Sequence, residues 1–403
     1  MSDVTSPNET TVEVEQAVLI GQRYCGPKRV VFVVNTDRFF LSHRATWAAA
    51  LQAAGAVVTV IAEDTGEADV IRRLGVEFVN VRVGRETSSS ASAMAVSASR
   101  ILIALMKIRP KLVFLVHQVA YTLGWPAAVV LRRTTFIRVA GGVGRALDSA
   151  ALETTSSRVV QVAGRIAGRL SNVFTLFQVE QDRATFTRLG LLPSYERSAV
   201  IPGTGIDVDS WTGDTVRDFE SPVIVFASRL IREKGIREFV AAAEKMRGRG
   251  WRFVVAGDPD PGVTSTVTAA ELEQWRANGA VNFLGYRSDM AQVFADATLF
   301  VFPSRHPEGT PRVLIEAGAS GLPSVVSGQT GCRAVVEHGI TGVVLGPEPS
   351  VSELADAVER LASDATMASA MGSAARSRVA ATYSLDAILP QLLNWEPVGA
   401  QSR

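Results

Sequence analysis

Two sets of apolar runs fix what this chain can fold into. Val30-Val31-Phe32-Val33-Val34-Asn35 and residues 57–62, 77–81 and 112–117 have strand length, and helical patterns over 42–54 and 88–108 stand between them. A second set begins at Pro222, with Val223-Ile224-Val225-Phe226-Ala227 and residues 251–256, 281–283, 299–302 and 323–326. Helical patterns over 235–246, 271–278, 290–295 and from Pro311 onward separate those runs. The runs are continuously apolar rather than alternating, as in strands buried on both faces. Such strands alternating with helices predict a parallel sheet covered on both sides, and the repetition predicts two. The expected fold class is α/β, with two Rossmann-like doubly wound domains facing a central cleft.

Length agrees with two cores, because 403 residues exceed the ~250–300 at which a single core stops growing. Residues 1–28 begin polar and end in Gly26-Pro27, and read as a flexible tail. An N-terminal Rossmann-like domain then spans 29–201. Residues 202–220, punctuated by glycine and proline around Trp211, lack periodicity and read as a linker. The C-terminal Rossmann-like domain spans 221–380, and residues 381–403 form a helix and tail expected to pack back towards the first domain.

Several protein classes drop out on composition. No apolar stretch approaches the ~18–20 residues of a membrane span, and the first ten residues lack the basic start and apolar core of a leader. This predicts a cytoplasmic protein that does not cross the membrane. Cys25 and Cys332 stand alone, without Cys-x-x-Cys spacing, so neither a disulfide nor a thiolate metal site is expected. The net charge of +1 hides an asymmetry: residues 101–200 carry thirteen basic and five acidic side chains. A basic first half attracts a polyphosphate, an anionic membrane surface or nucleic acid. Nucleic acid is disfavoured, because the basic residues are scattered among apolar ones without an aromatic platform.

In open parallel sheets, ligands bind beyond the carboxyl ends of the strands, so the loops there carry the chemistry. After Phe226-Ala227 comes Ser228-Arg229-Leu230-Ile231-Arg232-Glu233-Lys234-Gly235. Arg229, a planar fork, and Lys234, a point charge, could neutralise a diphosphate without a metal; a salt-bridged surface is the plain alternative. After Phe302 comes Pro303-Ser304-Arg305-His306-Pro307-Glu308-Gly309-Thr310-Pro311-Arg312-Val313-Leu314-Ile315-Glu316. Thr310 suits an N-cap and Pro311 the first helical position, with Glu308 and Glu316 separated by seven residues. A helix start favours an anion, whereas Glu308 before it suits hydrogen bonds from hydroxyls. A capped core helix with surface glutamates is the plain alternative. Asp207-Val208-Asp209 and Asp258-Pro259-Asp260 spell Asp-x-Asp, but lie in a linker and a proline turn, where turn and capping roles are expected rather than metal binding. Dinucleotide, Walker, zinc-protease and serine-elbow signatures are absent from the sequence.

These phrases together resemble glycosyltransferase family 4, whose members are retaining, sugar-nucleotide-dependent enzymes of the GT-B fold. Glu308-Gly-Thr-Pro-Arg-Val-Leu-Ile-Glu316 is similar to the family's Glu-x7-Glu motif, and Arg229-x4-Lys234-Gly235 to its basic loop. Ile201-Pro202-Gly203-Thr204-Gly205-Ile206-Asp207, residues 254–262 and Gly331-Cys332-Arg333 add to the likeness, which extends over nearly all the chain after the tail. Within the family the phrases look most like bacterial enzymes acting on undecaprenyl-diphosphate-linked sugars in polysaccharide or glycan assembly. The resemblance implies a nucleotide sugar, UDP-linked first, as donor, and a lipid-linked or other saccharide acceptor, with no cofactor and no metal. It implies that Arg229 and Lys234 hold the donor diphosphate, Glu316 the ribose and Glu308 the sugar hydroxyls. Gly309 and Thr310 would meet sugar and phosphates through their backbone.

In the first domain, the resemblance implies that His117 touches the donor sugar and that His43, in Phe39-Phe40-Leu41-Ser42-His43-Arg44, lies near the substrate. Gly142 and Arg145 fall where lipid-acceptor relatives carry a Gly-Leu-Gly-Tyr loop; Arg145 replaces the aromatic residue. Arg158, Arg165 and Arg169 fall on one face of an apolar-rich helical pattern over 159–170, which suits an anionic membrane surface and an inner-face peripheral protein. The alternatives are a sugar-nucleotide epimerase or a phosphorylase-like enzyme of the same architecture, or a non-enzymatic protein that binds an anionic surface.

Overall fold

The computed structural model describes residues 9–25, 27–83, 91–141, 162, 164–211 and 217–399. The chain forms two compact units, one comprising Met1–Gly205 with Leu385–Arg403, the other Ile206–Ser384. Unit 1 is built on a seven-stranded sheet: β1 (Arg29–Thr36), β2 (Val57–Glu63), β3 (Glu77–Asn80), β4 (Leu112–Val116), β5 (Thr135–Ala140), β6 (Val173–Phe177) and β7 (Ser198–Val200). Its order is β3-β2-β1-β4-β5-β6-β7 and its pairings are parallel. The order reverses between β1 and β4, the switch point at which such sheets open a crevice.

The continuous apolar runs are explained by the two layers they feed. Val30, Phe32 and Val34 join a cluster with Trp47 and Leu51, while Val31 and Val33 join a second cluster with Ile101, Leu105 and Leu123. The helical pattern over 42–54 resolves into helices Asp37–His43 and Ala45–Ala53, broken at Arg44. The first is capped by Thr36, whose Oγ1 accepts the Phe39 N–H at 3.2 Å. Arg44 is 1% exposed, with its guanidinium 4.5 Å from the Trp47 ring centroid.

Two expectations are corrected. The stretch 1–28 is not wholly a flexible tail, because Glu9–Gly21 is a helix with Ala17 and Ile20 in the core and Val14 and Val18 packed against it. Spacings of three and four place these apolar residues on one face, which docks on helix Ala45–Ala53. Nor is 202–220 simply a linker: Ile206, Val208 and Trp211 are buried in a core cluster of unit 2 with Phe294 and Tyr383. The C-terminal helix Leu385–Asn394 belongs to unit 1, where Leu385, Ile388, Leu389, Leu392 and Leu393 share the cluster containing Trp47.

Unit 2 holds β8 (Val223–Ala227), β9 (Arg252–Ala256), β10 (Asn282–Gly285), β11 (Leu299–Phe302), β12 (Ser324–Val326) and β13 (Gly342–Val344). Their parallel order, β10-β9-β8-β11-β12-β13, again reverses beside the first strand. Within this unit Ile206 pairs with Ser384 in a parallel bridge, and the Ile206 N–H donates to the Tyr383 carbonyl at 3.0 Å. Entry to and exit from the unit are therefore side by side. Among the described residues, no helix is long and apolar enough to cross a membrane.

Candidate functional site in unit 2

The two motifs most prominent in the sequence leave adjacent strands. β8 and β11 pair through Leu299 with Ile224 and Phe300 with Val225, so the loops after Ala227 and Phe302 emerge together. Their contact is close at Gly235: its φ is +82°, and a Cβ there would lie 2.3 Å from the Pro303 carbonyl oxygen. A side chain at this position would both strain the backbone and push the loops apart. The Arg305 N–H donates to the Glu233 carbonyl at 2.8 Å and completes the junction.

At that junction Lys234 Nζ forms an ion pair and hydrogen bond with Glu308 Oε1, and both side chains are mostly buried, 12% and 14% exposed. Burial alone would raise the Glu308 carboxyl. The charge and hydrogen bond of Lys234, the charge of His306 and the Ser304 hydroxyl outweigh it and hold Glu308 below the ordinary glutamate range. Lys234 Nζ also lies 5.5 Å from the Phe302 ring centroid. The main chain at Glu308 and Gly309 is fixed from behind by helix Thr330–Val335: a Cβ on Gly331 would lie 1.8 Å from the Gly309 oxygen and 2.6 Å from that of Glu308. Beside it, burial and then the neighbouring Glu308 charge push the Cys332 thiol up to about 12, so this cysteine is a packed, protonated side chain.

Arg229, which is half-exposed, takes Asp260 as partner, Nη1 to Oδ2 at 2.6 Å. Asp260 Oδ1 accepts the Gly262 N–H at 3.1 Å and Asp207 caps the short turn Val208–Ser210, so these members of the Asp-x-Asp pairs serve turns, as expected. Helix Arg312–Ala319 begins one residue later than the sequence suggested. Pro311 is its N-cap, with ψ 116°, and Thr310 precedes it. The cap shifts because proline's fixed φ fits either position while its extended ψ keeps it outside the helix. Glu316, one turn in, is held by Arg312, Nε to Oε1 at 2.7 Å.

The remaining expected residues lie in unit 1. His43 and His117 are joined through Phe39, whose ring stacks on His43 and meets His117 edge-on, each at 4.4 Å between centroids. His117 follows β4 with φ +67°, a left-handed conformation that costs a non-glycine residue about 1 kcal/mol or more. Gly142 and Arg145 lie outside the described residues, as does Arg158; Arg165 and Arg169 lie on a helical stretch over 164–169. Sequence reasoning passed over Asn35, the penultimate residue of β1, and Gln118, two residues beyond β4. Asn35 Oδ1 and Gln118 Nε2 are buried without a hydrogen-bond partner among the described residues. The available signal was a polar amide at the carboxyl end of an apolar strand or just beyond it.

Two doubly wound parallel sheets with their charged loops at the carboxyl ends define a protein of the GT-B class. The fold matches Anabaena Alr3699/HepE in complex with UDP at a TM-score of 0.69 and 18% identity, covering 91% of this chain and 98% of that one. Two family models match, "Glycosyl transferase 4-like" over residues 29–144 and "Glycosyl transferases group 1" over residues 221–364, together more than half of the chain. The chain belongs to the family 4 glycosyltransferases. It is 32% identical over 179 residues to the alpha-D-kanosaminyltransferase of Streptomyces kanamyceticus, covering 43% of this chain and 45% of that one. It is also 32% identical over 124 residues to the N,N'-diacetylbacillosaminyl-diphospho-undecaprenol alpha-1,3-N-acetylgalactosaminyltransferase of Campylobacter jejuni, covering 31% of each. The chain thus spans less than half the length of these two curated relatives.

Proposed function

We propose that the protein is a retaining glycosyltransferase that moves a sugar from a nucleoside-diphosphate sugar, UDP-linked first, to a saccharide carried on a lipid diphosphate. The observation that carries this reading is the buried Lys234–Glu308 pair beside the start of helix Arg312–Ala319. It puts a cation for phosphate, a carboxylate for sugar hydroxyls and a helix N-terminus in one place. A UDP complex of the same fold and a relative named for an undecaprenol-linked substrate support the choice of donor and acceptor classes.

In this reading Lys234 and Arg229 exchange their carboxylate partners for the donor diphosphate. Glu308 then accepts hydrogen bonds from the sugar, the Gly309 and Thr310 backbone borders sugar and phosphate, and Glu316 receives the ribose hydroxyls. His117 and His43 are assigned to substrate binding within unit 1. The bond between the anomeric carbon and the diphosphate oxygen breaks, and the acceptor oxygen forms its bond on the same face. The acceptor proton passes to the departing diphosphate, so no protein nucleophile is required. Stabilising the leaving group is the main catalytic task, and two cations with a helix start perform it without a metal. The enzyme works at the inner face of the cell membrane, where Arg165 and Arg169 favour anionic lipid.

The test is a thermal-shift screen of uridine-, guanosine- and adenosine-diphosphate sugars, followed by transfer of the best donor's sugar to a polyprenyl-diphosphate saccharide. Transfer is expected to survive EDTA and to fall at least about a hundredfold in Lys234→Ala, in line with loss of an oxyanion-stabilising group. Turnover of that variant within a few-fold of wild type would overturn the assignment, and rescue of EDTA-treated enzyme by manganese would overturn the metal-free reading.

A further inference from the structure

Glu308 Oε1 has a second donor besides Lys234. Ser304, wholly buried, places its Oγ 3.0 Å from that same oxygen. The hydroxyl is itself oriented: it accepts the His306 N–H at 3.3 Å, and the Ser304 carbonyl accepts the Ser327 hydroxyl. Among the described residues its single hydrogen has one other acceptor in reach, the Glu233 carbonyl at 3.3 Å. That carbonyl already takes the Arg305 N–H at 2.8 Å, so the hydrogen can be given to Glu308 without leaving a buried acceptor empty.

This arrangement matters when Lys234 changes partner. A buried carboxylate that loses its hydrogen-bonded ionic partner is costly and swings or takes up a proton. We propose that Ser304 is a positioning residue, which keeps the Glu308 carboxylate ionised and aimed at the donor sugar after a nucleoside diphosphate has drawn Lys234 away. The proposal rests on the donor-site reading above. Glu308 Oε1 is shared between Lys234 and Ser304; with the donor bound, Ser304 holds it and the other carboxylate oxygen meets the sugar. The Lys234–Glu308 pair also competes with the diphosphate. If the pair is formed in roughly nine molecules of ten, it weakens nucleotide binding about tenfold relative to a site in which it cannot form.

The experiment measures calorimetric affinities for UDP, and for the UDP-sugar selected by the screen, together with steady-state transfer, in wild type, Ser304→Ala, Ser304→Thr, Glu308→Gln and the Ala/Gln double variant. Glu308→Gln is expected to bind UDP about tenfold more tightly while losing the extra affinity that the sugar confers. Ser304→Ala should bind UDP within about twofold of wild type, lose most of the sugar increment, and lower kcat more than it raises KM, with Thr restoring part of the loss. The double variant should transfer no worse than Glu308→Gln alone, because both substitutions remove one function. Additive losses, or full transfer by Ser304→Ala, would overturn the proposal, as would unchanged or weaker UDP binding by Glu308→Gln. Melting temperatures identify a variant that has not folded, and the Thr variant then carries the test. If wild type binds none of UDP, GDP and ADP, the donor-site reading itself fails; if it binds one and Ser304→Ala behaves as wild type, only the role of Ser304 fails.

Discussion

Lys234 and Glu308 neutralise one another across 74 residues of sequence, and that fact has a measurable acid limb. The Glu308 carboxyl is held below its ordinary value of 4.5 in the folded protein. The unfolded chain therefore binds more protons in that range, and stability rises with pH. The contribution is complete above about 4.5 and is lost as pH falls below it. Scanning calorimetry of wild type and Glu308→Gln between pH 7 and 3 should show the difference in Tm between them shrinking below pH 4.5; a constant difference would contradict the assignment. Both residues were legible in the sequence as members of separate motifs, but their pairing was not. It depends on β11 lying beside β8 rather than beside β10, and strand order is set by how the helices cover the sheet faces, which periodicity does not record. The role of Gly331 was hidden for the same reason, because its crowding partners, Glu308 and Gly309, come from the loop after another strand.

At the scale of elements, strands of unit 2 were read closely from sequence because buried parallel strands are apolar throughout: residues 299–302 and 223–227 coincide with β11 and β8. Helix Glu9–Gly21 was missed because it opens on the polar residues Glu9, Thr10 and Thr11 and is followed by Gly26-Pro27. Yet its packing is substantial. Ile20 is 4% exposed within the cluster that includes Trp47, whose Nε1 donates to the Thr204 carbonyl at 2.8 Å. Ile20→Asp should lower stability by roughly 3 kcal/mol, since it opens a cavity and buries a charge without a partner. Urea unfolding would register this as a lower midpoint, and a midpoint unchanged from wild type would mean that the helix does not dock. Buried Arg138 on β5 is a further element-scale feature the sequence concealed. Burial lowers its guanidinium to about 10, while Thr175 Oγ1 and the Gly164 and Leu191 carbonyls accept its hydrogen bonds, so the basic excess of residues 101–200 is not wholly a surface charge.

At the scale of the whole molecule, the chain builds most of unit 1, then all of unit 2, and then returns. Because Ile206 and Ser384 are bridged to each other, the segment Ile206–Ser384 has its ends together and two core clusters of its own. Expressed alone, it should unfold cooperatively and bind the same nucleotide as the full chain, without transferring sugar. A non-cooperative melt, or loss of nucleotide binding by a fragment that melts cooperatively, would contradict this.

Unit 1 has no such independence, because Leu385, Ile388, Leu389, Leu392 and Leu393 fill its core from the end of the sequence. On the ribosome, the domain begun first is therefore completed only after unit 2 has been made. Unit 2 can close while the groove awaiting helix Leu385–Asn394 is still open, and the nascent first domain waits through the synthesis of the intervening 179 residues, Ile206 to Ser384. A message truncated just before Leu385 would release a chain with a complete unit 2 and an apolar groove on unit 1, the kind of surface that chaperones hold and proteases cut.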